Sequence, residues 1–159
     1  MIFDGHSDLL YDVTRRRLRG ECRVLEQWHL DRLRRGGVEG LVLSLWTSTA
    51  HGETFWEETL WADPADAAGR TGQMLACARA ELAKCGAVRL VRTAAQAEAV
   101  RSQGLLYAFL GVEGMAAIGE DPAGVDRYAD AGARMGMLTW NEENQLAAGA
   151  GASPGQGLT

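Results

Sequence analysis

The apolar start of the chain leads into a histidine and an aspartate whose chemistry suits a metal ion. His6 and Asp8 are separated by one residue. In an extended strand, side chains two positions apart point to the same face. Imidazole nitrogens and carboxylate oxygens are both zinc ligands in proteins. The spacing therefore predicts two ligands aimed at one point, although an N-capping aspartate beside a packed histidine would leave the same pattern.

A further acidic residue, Glu113, follows a buried segment predicted as a strand at 104–111. A carboxylate at such a position is costly to bury unless it is paired or bound to a metal. The neighbouring Gly114 lets the backbone turn sharply and lets a ligand approach closely. Because a carboxylate has two oxygens, it can bridge two cations, which makes Glu113 a candidate catalytic metal ligand. A solvated loop glutamate is the alternative.

Polar and aromatic residues at 140–144 follow the last predicted strand. Asn141 and Asn144 are neutral hydrogen-bonding groups, and we predict that they bind substrate together with Trp140. Turn formation is the alternative for both asparagines. Glu142 and Glu143 are interpreted as solvated loop acids.

The remaining histidines have weaker contexts. His29 is interpreted as a packing or surface residue of a helix, and His51 as a residue of the loop after the second predicted strand. Trp46, Trp56 and Trp61 lie near that loop, where they either line a pocket or cover the helix above it.

The segments that must position these residues alternate between strands and helices. Apolar runs predict strands at 1–5, 40–46, 88–91, 104–111 and 135–140. Helical periodicity and capping residues, with Thr93 as one N-cap, predict helices at 9–19, 26–35, 53–84, 93–102 and 122–133. This order predicts an α/β fold with a parallel sheet, either a doubly wound open sheet or a (β/α)8 barrel. The absence of G-x-G-x-x-G after any strand disfavours a dinucleotide-binding fold.

Length limits how much of a barrel the chain can form. Its 159 residues suffice for one domain, whereas a complete barrel typically needs about 250. We therefore expect residues 1–159 to be the N-terminal part of a single barrel domain, which the family resemblance below identifies as a metallo-hydrolase barrel. Its fifth strand would have an open edge, so homo-oligomer formation is left open as a partner interaction.

Composition excludes several classes of partner. A net charge of −5 leaves no basic excess for pairing with nucleic-acid phosphates. No apolar run reaches the roughly 20 residues of a membrane span, and no secretory signal is recognisable. Three cysteines without metal-ligand spacing indicate reduced thiols. We expect a cytoplasmic protein.

Five short motifs occur in one order along the chain: 4–8 (DGHSD), 30–38 (LDRLRRGGV), 111–114 (GVEG), 138–141 (LTWN) and 157–159 (GLT). Together they resemble the membrane dipeptidase (renal dipeptidase) family, peptidase family M19, over essentially the whole chain. The resemblance implies a (β/α)8 TIM barrel of the metal-dependent hydrolase type, of which this chain covers about five strands. It also implies two zinc ions in the complete site.

Within this resemblance, His6 and Asp8 match the ligands of the first zinc, and Glu113 matches the carboxylate that bridges both metals. The two further histidines and the catalytic aspartate of the family lie beyond the position of Thr159. Many members have a histidine where this chain has Trp140. The chain is similar in this respect to a bacterial branch with a T-W-N motif, which leaves the substrate open.

The function expected is zinc-dependent hydrolysis of dipeptides by a hydroxide that bridges the two metals. We expect the isolated 159-residue chain to be inactive. One alternative is another metal-dependent amidohydrolase on the same barrel, such as a deaminase, or a lactonase or phosphotriesterase. Some of these use a carboxylated lysine as the bridge, and Lys84, the only lysine, is expected on a helix. A non-catalytic half-barrel is the other alternative.

Overall fold

Five parallel strands form one sheet in the computed structural model, which describes residues 2–46, 67–119, 121–141, 143–151 and 157–158. The strands are β1 (Ile2–Ser7), β2 (Val38–Trp46), β3 (Val88–Leu90), β4 (Leu106–Glu113) and β5 (Ala133–Met137). The predicted α/β class and parallel sheet are confirmed.

Strand β4 organises the sheet because it pairs with three other strands. Its residues 107–113 pair with β2, which in turn pairs with β1. Along its other edge, β4 pairs with β3 through its residues 106–108 and with β5 through its residues 110–113. All four pairings are parallel, so the carboxyl ends of β1, β2 and β4 lie at the same end of the sheet.

The helices lie between the strands in the chain, as the periodicity predicts. They are α1 (Leu9–Leu18), α2 (Leu30–Arg35), α3 (Ala67–Leu82), α4 (Ala94–Arg101) and α5 (Ala123–Ala131). Thr93 caps α4 as predicted, with its hydroxyl accepting from the Gln96 N–H at 3.2 Å. The helix predicted at 53–84 lies outside the described residues before Ala67. Within the described ranges, no helix is long and apolar enough to cross a membrane.

Several boundaries differ from the predicted ones. The helix predicted at 26–35 begins with a π-helical turn, Leu25–His29, before α2. A short 3-10 helix at Met115–Ile118 was not predicted. Strand β5 ends at Met137, not at residue 140, because the Leu138 carbonyl leaves the ladder and accepts from the backbone N–H of Met115 and the side chain of Asn144.

The core lies between the sheet and the helices. Alternate residues of β2, namely Leu41, Leu43 and Leu45, are almost fully buried. They belong to one apolar cluster with Leu10 of α1 and Met74 of α3. Because side chains alternate along a strand, Val42 and Ser44 point to the opposite face, which carries the site described below.

An aromatic group occupies the amino-terminal part of that opposite face. The ring of Tyr107 stacks on that of Phe3 with centroids 6.0 Å apart, and Phe109 meets both rings edge to face. Gly40 provides the space, since a Cβ there would lie 2.1 Å from the Tyr107 ring. This packing leaves the carboxyl ends of the strands for polar side chains.

Replacing two helical glycines by alanine is predicted to change the free energy of unfolding in opposite directions. Gly124 of α5 is buried, and a Cβ there would lie 2.0 Å from the Ile118 carbonyl oxygen, whereas Gly72 of α3 faces open space. Gly124→Ala is therefore expected to lower the free energy of unfolding by roughly 1–3 kcal/mol. Gly72→Ala is expected to raise it by about 0.5–1 kcal/mol. Urea denaturation measures both, and an equal effect of the two substitutions would contradict this packing.

Candidate metal centre

His6 and Asp8 meet across the corner between β1 and α1. His6 is in the strand, but Asp8 occupies the N-cap position of α1 with φ −81° and ψ 15°. The extended i, i+2 geometry from which their convergence was predicted therefore does not apply, because the chain turns into α1 after Ser7. The turn still brings His6 Nε2 to 3.3 Å from Asp8 Oδ1. The Asp8 side chain makes no capping hydrogen bond, which favours the ligand interpretation over the capping one.

Glu113 is the last residue of β4, two positions beyond the predicted end of that strand. Its Oε2 lies 3.0 Å from Nε2 of His6 and accepts a hydrogen bond from the Ser44 hydroxyl at 3.1 Å. His6 and Glu113 are on non-adjacent strands, β1 and β4, with β2 between them. The carboxyl ends of three parallel strands thus bring one histidine and one buried glutamate together.

Ligand atoms of His6, Asp8 and Glu113 all lie within 4.8 Å of one another. One imidazole nitrogen and two carboxylate oxygens form a donor set that suits zinc. The side chains of His6 and Asp8 are about half and two-thirds exposed, at 49% and 68%, whereas that of Glu113 is only 10% exposed. The cluster is therefore open to an ion on one side and anchored in the sheet on the other.

Burial raises the pKa of the Glu113 carboxyl above its ordinary value. The nearby His6 and the hydrogen bond from Ser44 act in the opposite direction, and the charge of Asp8 adds to the increase. Two carboxylates near one another in a partly buried site are stabilised by a cation. The electrostatics of the three groups thus fit a bound metal ion.

A cleft of about 480 Å³ opens above the cluster. This volume lies within the usual range of small-molecule sites. Trp46 and Trp140 form one wall, with ring centroids 5.2 Å apart in an edge-to-face arrangement. The described residues that line it are His6, Asp8, Tyr11, Trp46, Glu113, Met137 and Trp140. The cleft therefore combines a polar floor with apolar and aromatic walls.

Of the predicted substrate-binding residues, the structure brings only Trp140 to the cleft. Asn141 is exposed and absent from its lining. Asn144 makes local bonds, donating through Nδ2 to the Leu138 carbonyl at 2.7 Å and accepting from the Leu146 N–H at 2.9 Å. Such bonds are typical of a turn residue.

Of the histidines other than His6, only His29 lies in the described part of the chain. His29 lies 2.9 Å from Asp12 Oδ2, in a contact with α1. His51, Trp56 and Trp61, like Glu142, lie outside the described residues.

Sequence reasoning missed three residues at or near the site. Tyr11 lies three positions after Asp8, on the first turn of α1, and Met137 ends β5. Ser44 is a polar residue inside an apolar strand, two positions before Trp46. The period of two in a strand would have placed Ser44 and Trp46 on one face.

Comparison with protein families identifies the chain. The profile of the membrane dipeptidase family, peptidase family M19, matches residues 1–159. The chain belongs to this family, as the ordered motifs predict. No curated protein sequence matches the chain significantly.

Solved structures agree on the fold. A metallo peptidase from Rhodobacter sphaeroides, liganded with a phosphinate mimic of the dipeptide L-Ala-D-Ala, is 24% identical with a TM-score of 0.70, over 99% of this chain and 52% of that one. The dipeptidase AC, a metallo peptidase of family M19, is 22% identical with a TM-score of 0.75, over 99% and 51%. An amidohydrolase from Pseudomonas aeruginosa is 14% identical with a TM-score of 0.60, over 99% and 37%.

The chain thus spans about half the length of the first two structures. Its sheet is part of the TIM-barrel fold of the M19 dipeptidases, with five strands described. The predicted (β/α)8 class is confirmed.

Proposed function

We propose that the protein is a zinc-dependent dipeptidase and that residues 1–159 form the N-terminal part of its barrel domain. Membership in the membrane dipeptidase family supports metal-dependent peptide hydrolysis. The observation that carries the proposal for this chain is the cluster of His6, Asp8 and Glu113. It lies at the carboxyl ends of the strands, where barrel enzymes place their active sites.

Each residue of the cluster has a distinct role in this proposal. His6 and Asp8 would hold the first zinc ion, and Glu113 would be the ligand shared with the second. When bound, the metals polarise the peptide carbonyl and lower the pKa of water. A carboxylate with both oxygens engaged cannot also serve as the general base, so the proton transfer requires another group.

The aromatic wall gives this site a different character from a site with histidine at position 140. Trp46 and Trp140 provide apolar surface on one side of the cleft. An indole offers only one N–H donor and no charge. We therefore propose that Trp140 contacts the substrate by packing and not as an ionic partner.

Metal analysis and a hydrolysis assay test the proposed function. The product of the complete gene is purified, its zinc content is measured, and a panel of L,L and L,D dipeptides is assayed with and without a chelator. We expect bound zinc and dipeptide turnover that the chelator abolishes and added zinc restores. Protein that binds no zinc and cleaves no dipeptide would contradict the proposal. Turnover of a lactone, a phosphotriester or an amino-nucleobase alone would favour another hydrolase of the same barrel.

The 159-residue chain serves as the comparison in the same assay. It contains three of the ligands that the complete site is expected to have, so we predict weak zinc binding and no dipeptide hydrolysis. Measurable turnover by this chain alone would show that three ligands are enough.

A further inference from the structure

Ser44 is a buried polar residue that points at the metal centre without reaching the cleft. Its residue surface is 3% exposed, and its neighbours in β2, Leu43 and Leu45, are apolar core residues. The Ser44 hydroxyl donates to Oε2 of Glu113 at 3.1 Å. The oxygen that receives this bond is the one that also lies 3.0 Å from His6 Nε2.

The register of the two strands accounts for this contact. Glu113 of β4 is aligned with Trp46 of β2, and Ser44 is aligned with Gly111. Ser44 therefore lies two residues before the partner of Glu113, on the same face of the sheet. The spacing of two residues along parallel strands thus brings the Ser44 hydroxyl to the carboxylate of Glu113.

A hydroxyl in this position restricts the carboxylate. A glutamate side chain has three rotatable bonds, so its oxygens have many arrangements unless a partner selects one. An ionised carboxylate only accepts hydrogen bonds, which means that Ser44 must donate to it. Hydrogen bonds from such outer groups orient metal ligands, and their removal typically weakens metal binding by about 10–100-fold.

We propose that Ser44 is a positioning residue that fixes the Glu113 carboxylate in the orientation needed to bind metal. This inference rests on the proposed function, since it assigns Ser44 a role in the same site. Its burial means that bulk water does not readily replace the hydroxyl when it is removed. Among the described residues, the Ser44 hydroxyl donates a hydrogen bond to the Glu113 oxygen that lies nearest to His6.

Zinc affinity separates this role from a general contribution to folding. Ser44→Ala removes the hydroxyl, Ser44→Thr retains it, and Thr14→Val removes a control hydroxyl elsewhere. Thr14 is fully buried in α1 and donates to the Leu10 carbonyl at 2.6 Å. Each variant of the complete gene product is titrated with zinc in competition with a chromogenic chelator. The thermal midpoint of each metal-free variant is measured in parallel.

We expect Ser44→Ala to weaken zinc binding by at least about tenfold and Ser44→Thr to restore most of the affinity. Thr14→Val is expected to lower the thermal midpoint without changing zinc affinity. Equal zinc affinity of the wild type and Ser44→Ala would overturn the role of Ser44 alone. So would a comparable loss of affinity in Thr14→Val, or no recovery in Ser44→Thr. Wild-type protein without zinc affinity would instead overturn the proposed function, and the role of Ser44 with it.

Discussion

Replacing Glu113 by glutamine is expected to lower kcat/KM for dipeptide hydrolysis by about three orders of magnitude. The reason is that the amide has lost the charge and one of the two oxygen ligands with which Glu113 is proposed to bridge the metals. Bound metals supply several kcal/mol of transition-state stabilisation, and each 1.36 kcal/mol corresponds to about a factor of ten in rate. Steady-state kinetics at saturating zinc measure the effect. The matched control is Glu98→Gln on the exposed surface of α4, which should retain full activity.

Although Glu113→Gln is expected to lower activity, it is not expected to lower the stability of the metal-free protein. Because burial raises the pKa of Glu113, the folded chain holds this proton to a higher pH than the unfolded chain does. The ionised carboxylate therefore costs stability at neutral pH. We expect metal-free Glu113→Gln to unfold at the same or a higher temperature than the wild type at pH 7. This advantage should disappear below the ordinary pKa of 4.5, where the carboxyl of Glu113 is protonated in both the folded and the unfolded chain.

A large loss of stability in Glu113→Gln would mean that the activity is lost through unfolding. That result would remove the support that the variant gives to a metal role for Glu113. Zinc affinity distinguishes the cases, because a correctly folded variant that binds zinc as tightly as the wild type would also contradict the proposed ligand.

The second large effect is expected at Glu81 of α3. This residue has no proposed role at the cleft, but it is central to the packing of its helix. Its side chain is fully buried, with Oε2 2.8 Å from Arg17 of α1 and Oε1 accepting from the Leu25 N–H at 2.9 Å. Glu81→Ala leaves a largely buried guanidinium and a backbone donor without this acceptor. We expect the free energy of unfolding to fall by about 3 kcal/mol, and the thermal midpoint by on the order of 10 °C.

Two further variants show whether the charge pair causes this loss. Glu81→Gln retains an oxygen for Leu25, so it should be less destabilising than Glu81→Ala. Glu98→Ala removes a glutamate that pairs with Arg101 in solvent, and exposed pairs of this kind contribute little. If denaturation gave equal losses for Glu81→Ala and Glu98→Ala, the buried pair would not be a major source of stability.

The fold was predictable where apolar residues form a nearly continuous run. Residues 40–45 of β2 are all buried, and this run allowed the strand to be recognised from the sequence. The ends of the strands were less predictable because tertiary hydrogen bonds set them. Leu138 continues the apolar pattern of β5, yet its carbonyl bonds to Met115 and Asn144 outside the ladder. The π-helical turn before α2 is similarly tied to a distant residue, since Glu81 accepts from Leu25.

The site was predictable in composition but not in geometry. His6, Asp8 and Glu113 were recognised by residue type, and the structure brings all three together. The extended spacing used for His6 and Asp8 does not hold, because Asp8 is the N-cap residue of α1, which begins at Leu9 as predicted. Ser44 was missed since its importance depends on the register between β2 and β4, which is not visible in either strand alone.

The separation of His6 and Glu113 in the chain has a kinetic consequence. In the described sheet their strands are joined through β2, so both must dock on it before the two side chains can meet. Contacts between residues so distant in sequence are slow to form, because the long intervening loop must close first. A metal that requires both ligands would therefore bind late in folding. Its uptake in a refolding experiment would report the completion of the sheet, after the local helices have already formed.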